Sequence, residues 1–250
     1  MKIFYFTSTG NSLYVAKKLG GELYSIPKVL KEKNLSFEDE KIGIVFPCYF
    51  AGTPRIVKEF LKKVELNSDY IFAIMTYGSS GAAGISHFQK TAEKEGIEIS
   101  YGSELLMIDN YLPFFDIAKQ LEKEESKNID EHLESLIKDI NMSKKFILKK
   151  NVLEKTLTTT AQFIYSKKTG KNDKKFLVED SCTSCKICEK VCPVNNISVN
   201  TKPEFNHNCD ECLACVNLCP TKAIKIKRER GTARFKNIHV DLKEIIEANN

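Results

Sequence analysis

Between Cys182 and Pro220 the chain writes one cysteine pattern twice, as CTSCKICEKVCP (182–193) and CDECLACVNLCP (209–220). Eight of the nine cysteines fall in these runs, and only Cys48 lies elsewhere. No other feature restricts the possible folds as strongly, because thiols this crowded are either oxidised in pairs or held by a metal. Composition favours the second reading. A 250-residue chain with 42% hydrophobic and 28% charged residues is ordinary for a water-soluble globular protein. No apolar run approaches the ~20 residues that cross a bilayer. The opening Lys2-Ile3-Phe4-Tyr5-Phe6 reads as a strand entering a polar loop, without a signal-peptide layout. The expected location is the cytoplasm with no membrane insertion. Thiols stay reduced there, and cysteines serve metals or catalysis more than disulfides.

Both runs fit C-x2-C-x2-C-x3-C-P, the spacing used for iron–sulfur cubanes. Three cysteines at i, i+3 and i+6 wrap a loop around one cluster, and the fourth leaves the loop to ligate the other. This assigns one 4Fe–4S cluster to Cys182, Cys185, Cys188 and Cys219, and a second to Cys209, Cys212, Cys215 and Cys192. Zinc is the competing metal, but zinc ribbons space two pairs widely and need no third cysteine in register. Few apolar residues lie between Phe176 and Ile226, so metal binding is expected to supply much of this region's folding free energy. The region from about Lys175 to Arg230 resembles the bacterial two-cluster ferredoxins. That resemblance implies a small α+β domain that moves single electrons.

The front of the chain has a different rhythm. Strands are expected at Ile3–Phe6, Glu22–Ile26, Ile42–Phe46, Tyr70–Thr76 and Leu105–Ile108. Helices are expected at Asn11–Leu19, near Ile56–Val64 and around Ile85–Glu95. This βαβα alternation predicts a doubly wound parallel sheet covered on both faces. Residues 129–148 carry apolar side chains at mostly helical spacing and are expected to form a packing helix. The stretch 149–175 becomes lysine- and threonine-rich, with Gly170-Lys171-Asn172-Asp173 as a turn signal, and reads as a linker. The expected division is a front domain over 1–148, that linker, a cysteine domain over 176–235 and a tail over 236–250. The tail ends in a helix capped by Asp241.

The first strand runs into Thr7-Ser8-Thr9-Gly10-Asn11-Ser12 and then a helix. Backbone amides at a helix N-terminus, hydroxyl donors and a glycine allowing close approach suit a phosphate monoester. The loop lacks the Walker lysine and is not G-x-G-x-x-G, so neither nucleotide hydrolysis nor a nicotinamide site is indicated. It resembles the FMN phosphate loop of flavodoxins, with the hydroxyl-x-Thr-Gly-Asn-hydroxyl pattern directly after the first strand. Pro47-Cys48-Tyr49-Phe50-Ala51-Gly52-Thr53-Pro54 and Thr76-Tyr77-Gly78-Ser79-Ser80-Gly81-Ala82 fall where that family places its flavin-ring loops. The resemblance implies the sheet order 2-1-3-4-5, with FMN at the carboxyl ends of the strands. Tyr49 and Tyr77 are the candidates to stack on the ring, with Phe50 as a substitute. Pro47, Thr76 and Gly78 border it, as does Asn110-Tyr111-Leu112-Pro113. Cys48 reads as a small buried hydrophobe, with a redox role the alternative. The 47–54 loop holds no carboxylate and is followed by Arg55, so nothing local sets a low flavin potential.

The whole chain resembles the flavodoxin–ferredoxin fusions of anaerobic microbes over about residues 1–110 and 175–230. The implied function is electron transfer between two 4Fe–4S clusters and FMN, and on to a ferredoxin-type donor or acceptor protein. A flexible tether would hold the modules at millimolar effective concentration. An FMN-dependent reductase of a quinone, nitro compound or enone is a second reading, and a flavin-free docking domain on a ferredoxin a third. The formal charge of +5 implies no nucleic-acid partner, because two clusters at about −2 each and a flavin phosphate would bring it near neutrality.

Overall fold

The structure, a computed structural model, describes residues 1–168 and 170–250. Strands β1 (Lys2–Tyr5), β2 (Glu22–Ser25), β3 (Lys41–Pro47), β4 (Tyr70–Tyr77), β5 (Tyr101–Leu106) and β6 (Phe146–Ile147) form one sheet. Its order is β2-β1-β3-β4-β5-β6, and every pairing is parallel. The fold is therefore a flavodoxin-like doubly wound α/β sheet of order 2-1-3-4-5, carrying a two-residue sixth strand at one edge.

Side-chain alternation explains the two layers. Ile3 and Tyr5 point to one face and Phe4 and Phe6 to the other, as the period of two in a strand requires. Helices α1 (Asn11–Leu19) and α4 (Ile129–Asn141) cover the first face, and α2 (Arg55–Lys63) and α3 (Gly84–Lys94) the second. Strands β3 and β4 are buried along almost their whole length, which is why they read as continuous apolar runs.

The cysteine domain is built on two antiparallel pairs. β7 (Phe176–Val178) pairs with β10 (Ile224–Ile226), and β8 (Ile197–Val199) with β9 (Pro203–Phe205). The duplicated sequence folds with a duplicated backbone. Ser184 and Lys186 are left-handed in the first run, and Glu211 and Leu213 are left-handed at the same offsets in the second. Asn195 and Lys222, each three residues beyond a fourth cysteine, repeat the match. Non-glycine residues seldom adopt this conformation. Here it curls each loop inward around its thiols.

Three expectations are corrected. The helix from 129 ends at Asn141, not 148. Ser143 turns left-handed, its N–H donates to Ile140 O and Lys144 N–H donates to Asp139 O. This Schellman closure uses a serine where a glycine would have been legible, and it releases Phe146–Ile147 to form β6. The fifth strand is Tyr101–Leu106, so Met107 and Ile108 lie beyond its end. The expected linker is mostly helix α5 (Val152–Lys168), packed on the front domain; Thr169, within that stretch, lies outside the described residues.

The two modules are also not tethered bodies. Val191, Ala214 and Leu218 join the core beneath α1, while Ile108, Leu112 and Ile117 of the front domain complete the core of the cysteine domain. That shared core supplies apolar burial that the interval 176–226 lacks on its own. The tail folds back as well. Helix α6 (Leu242–Asn249) starts with a capping box in which Asp241 N–H donates to the Glu244 carboxylate at 2.8 Å. It buries Ile245 and Ala248 in the core beneath α1.

Candidate functional site

A cleft of about 230 Å³ opens at the carboxyl ends of β1, β3 and β4. The first loop lines it with Thr7, Ser8, Thr9, Asn11 and Ser12, the second with Pro47, Tyr49 and Phe50, and the third with Thr76, Tyr77 and Gly78. Gly10 alone among the twelve expected residues does not face it. Its role is backbone geometry. Its φ is +105°, and a Cβ there would sit 2.9 Å from Asn237 Cβ, so both conformation and space demand glycine.

The first loop is held from all sides. Ser12 Oγ and Thr76 Oγ1 bond at 2.9 Å, tying the first loop to the third. Asn110 Nδ2 donates to Thr9 Oγ1 (2.6 Å), and Asn11 Nδ2 donates to Ile108 O (3.1 Å). The tail takes the backbone carbonyls: Asn237 N–H donates to Thr9 O (2.8 Å) and Asn249 Nδ2 to Thr7 O (3.2 Å). No side chain caps the start of α1, so its first amides remain available to an anion. Among the described residues no lysine or arginine lines the cleft. The donor set suits a phosphate monoester met by amides and hydroxyls, and this is the fit the flavin phosphate requires.

Helix α5 holds the second loop. Phe50 and Ala51 are left-handed, closing a turn in which Tyr49 and Gly52 exchange backbone hydrogen bonds at 2.9 and 3.0 Å. Gln162 Nε2 donates to both Tyr49 O (2.7 Å) and Phe50 O (3.1 Å), while its Oε1 accepts from Lys58 Nζ (2.7 Å). Tyr165 stacks on Phe50 with centroids 4.8 Å apart and planes 15° from parallel. One face of Phe50 is thus occupied. Tyr49 meets Phe6 edge-on, and burial raises its hydroxyl well above the usual phenol range, with Ser8 beside it acting in the opposite direction. Cys48 also lines the cleft, and burial pushes its thiol up to about 12.

Two carboxyl groups that sequence reasoning missed reach the cleft. Asp109 and Glu211 line it, and burial raises the Asp109 carboxyl above its usual range. Arg55, expected as a cation beside the ring loop, turns instead to Asp210 in the cysteine domain. In the sequence Glu211 is a spacer between cysteines, and nothing local to it or to Gln162 marks either residue.

The cysteines gather in two quartets. Cys182, Cys185, Cys188 and Cys219 line one small cavity, and Cys192, Cys209, Cys212 and Cys215 line another. Among the described residues no three of His, Cys, Asp or Glu stand close enough to hold a single metal ion. Backbone amides point at the thiols: Asn196 N–H lies 3.2 Å from Cys192 Sγ, Glu211 N–H 3.2 Å from Cys209 Sγ and Ala223 N–H 3.3 Å from Cys219 Sγ. Such donors stabilise thiolate sulfur and tune a cluster's potential. The first quartet includes the exposed Cys185, whereas in the second only Cys212 is less than buried. Burial raises Cys212 and Cys215 well above the usual thiol range, so iron binding must displace their protons.

Cys212 lines both the second cysteine cavity and the front cleft. Beside it, Glu211 Oε1 accepts from the Tyr111 hydroxyl at 2.6 Å and from Lys175 Nζ at 2.8 Å. The wall between the two sites is one loop thick.

These features define an iron–sulfur protein with a flavodoxin-like domain, and its role is redox. Residues 181–224 match the family of 4Fe-4S dicluster domains, and 4Fe–4S clusters are the cofactors of the cysteine domain. No curated protein matches the chain. Similar solved structures include a Bacteroides uniformis ATCC 8492 protein provisionally described as a flavoprotein (18% identity, 43% of this chain and 90% of that one, TM-score 0.32). The Trp repressor binding protein of Bacillus subtilis shares 13% identity over 50% of this chain and 91% of its own, with a TM-score of 0.32. Two-electron reduced Megasphaera elsdenii flavodoxin shares 16% over 41% and 83%, with a TM-score of 0.27. At these scores the likenesses carry no weight, and the strand order carries the fold. No helix among the described residues is long and apolar enough to cross a membrane.

Proposed function

We propose that the chain is an electron-transfer protein that holds FMN in the front cleft and passes single electrons between its clusters, the flavin and a separate redox protein. The observation that carries this reading is Cys212, which borders both the second cysteine cavity and the cleft. When bound, FMN accepts two electrons one at a time and the clusters pass them singly. The chain's residues do the rest. Thr7–Ser12 hold the phosphate, the 47–54 and 76–78 loops flank the ring, and the quartets seat the clusters with the second nearest the cleft. The Asp109 and Glu211 carboxyls border the cleft, with Glu211 held by Lys175 and the Tyr111 hydroxyl.

The test begins with anaerobically purified protein, where about one FMN and about eight irons with matching sulfide are expected per chain. Photoreduction should then bleach the clusters and the flavin of the same molecule in succession. Clusters that stay reduced beside an oxidised flavin would sink the relay.

A second reading, an FMN-dependent reductase of a planar acceptor, draws on the cleft's mouth. Phe114 lines it while remaining 68% exposed, packed edge-on against Tyr111. Rapid reoxidation of the reduced protein by a quinone, nitro compound or enone would favour it. Protein containing iron but unable to take up added FMN would leave the docking-domain reading.

A further inference from the structure

Helix α5 presents its faces in the reverse of the usual order. Its inner face buries Thr158, Gln162 and Tyr165, which are polar or amphipathic. Its outer face exposes Val152 (78%), Leu153 (79%), Leu157 (56%), Phe163 (60%) and Ile164 (43%). Five exposed apolar side chains at helical spacing on one side of a helix suit an interaction site. The charge around it has one sign. Residues 149–175 hold eight lysines against only Glu154 and Asp173, a balance of +6 in a chain whose formal total is +5. Lys149, Lys155, Lys167, Lys168, Lys171 and Lys174 are exposed and take part in no ion pair among the described residues. The two carboxylates are already engaged, Glu154 with Lys150 and the buried Asp173 with His207. Lys167 Nζ stands 4.8 Å above the Phe163 ring, so cation and aromatic face are presented together.

We propose that the outer face of α5 is the docking surface for a small acidic electron-carrier protein. This rests on the electron-transfer reading above and names its partner's chemistry and contact. An apolar centre within a charged rim is the usual anatomy of a protein interface, and a rim of one sign steers an oppositely charged partner. Position supplies the link to redox chemistry. The inner face of α5 touches the carbonyls of Tyr49 and Phe50, so a carrier on the outer face stands about one helix diameter, ~10–12 Å, from the flavin-ring loop. One electron passes per encounter: the reduced carrier is oxidised by one and this chain reduced by one, or the reverse, with no bond made or broken.

The test is calorimetric titration of the anaerobic holoprotein with an oxidised acidic two-cluster ferredoxin, at low and moderate salt. Wild-type affinity should fall steeply with salt. The double variants Leu157→Glu/Phe163→Glu and Lys167→Glu/Lys168→Glu should each weaken binding at least tenfold, while iron, sulfide and flavin contents and photoreduction rates stay unchanged. The replaced side chains are exposed, so the fold is not at risk. Equal affinity in both variants overturns the proposal. So does a wild-type protein that ignores the ferredoxin but dimerises through α5, or one that binds only vesicles of phosphatidylglycerol and phosphatidylcholine. Because the readout is binding, absence of flavin would defeat the relay and leave this result standing.

Discussion

Arg55 donates from Nε to Asp210 Oδ1 across 2.6 Å, fastening the helix after the 47–54 loop to the second cysteine loop. Its other nitrogens reach Asn208 Oδ1 (2.9 Å) and Asn208 O (3.0 Å). The Asp210 side chain is fully buried while that of Arg55 is 34% exposed, and burial lifts the carboxyl to about 6 despite the guanidinium. A carboxylate so placed tolerates burial only while its partner remains. Arg55→Leu should cost about 2–3 kcal/mol, the lower end because Arg55 is part-exposed and screened. Thermal midpoints of the holoprotein check this, and adding Asp210→Asn should recover most of the loss.

Gln162 reaches both Tyr49 O and Phe50 O with one amide nitrogen, bracing the ring loop from α5. A Cβ on Gly52 would lie 2.6 Å from its Nε2, so the loop and the helix are already in close contact. Gln162→Leu keeps the bulk, removes both donors and strands two carbonyls, at a cost of about 1–3 kcal/mol. FMN affinity, read by quenching of flavin fluorescence, should fall on the order of tenfold or more. Undiminished affinity would show that the loop does not depend on α5.

The crossed quartets separate two cysteine variants. Cys219→Ser removes a thiol from the cavity of Cys182, Cys185 and Cys188, and Cys212→Ser removes one from the cavity that borders the cleft. Each should lower iron from about eight to about four per chain. Only the second should also stop electrons passing between the remaining cluster and the flavin, read by photoreduction absorbance. The reverse pattern would refute the order of sites.

His87 gives the ring loop an acid limit. Its Nδ1 lies 2.9 Å from Thr53 Oγ1. Burial, followed by the charges of Lys58, Lys94 and Lys90, lowers its pKa from 6.5 to about 4. The unfolded chain therefore takes up this proton first as pH falls. The contribution is complete above about 6.5 and is lost toward pH 4. Between pH 7.5 and 5.5 the wild type should lose more thermal stability than His87→Gln. Parallel losses would assign the acid sensitivity to other groups.

The sheet was legible in the sequence because β1, β3 and β4 have the apolar runs of doubly covered strands, and α1 begins and ends at its expected residues. The grouping of the cysteines into two cavities was legible because the pattern is written in local spacing. What escaped was non-local. Asn237 and Asn249 meet Thr9 and Thr7 across more than two hundred residues, and neither carries a motif. The span 149–175 looked like a linker because its polar residues, Thr158 and Gln162, are the buried ones. An inverted helix defeats a reading that equates polarity with exposure. Ser143 hid a helix end because a side chain there occupies a backbone conformation that glycine would have advertised.

Asn249 donates to Thr7 O and also to Val191 O, within the first cysteine run. Ribosomes add roughly 5–20 residues per second, and Thr7 precedes Asn249 by 242 positions. The nascent loop after the first strand therefore waits roughly 10–50 s for its last brace. During synthesis the Thr7 and Thr9 carbonyls stay without these partners until Asn237 and Asn249 have been added. The seating of α6 is thus the event that ties the loop after the first strand to the first cysteine run through a single side-chain amide.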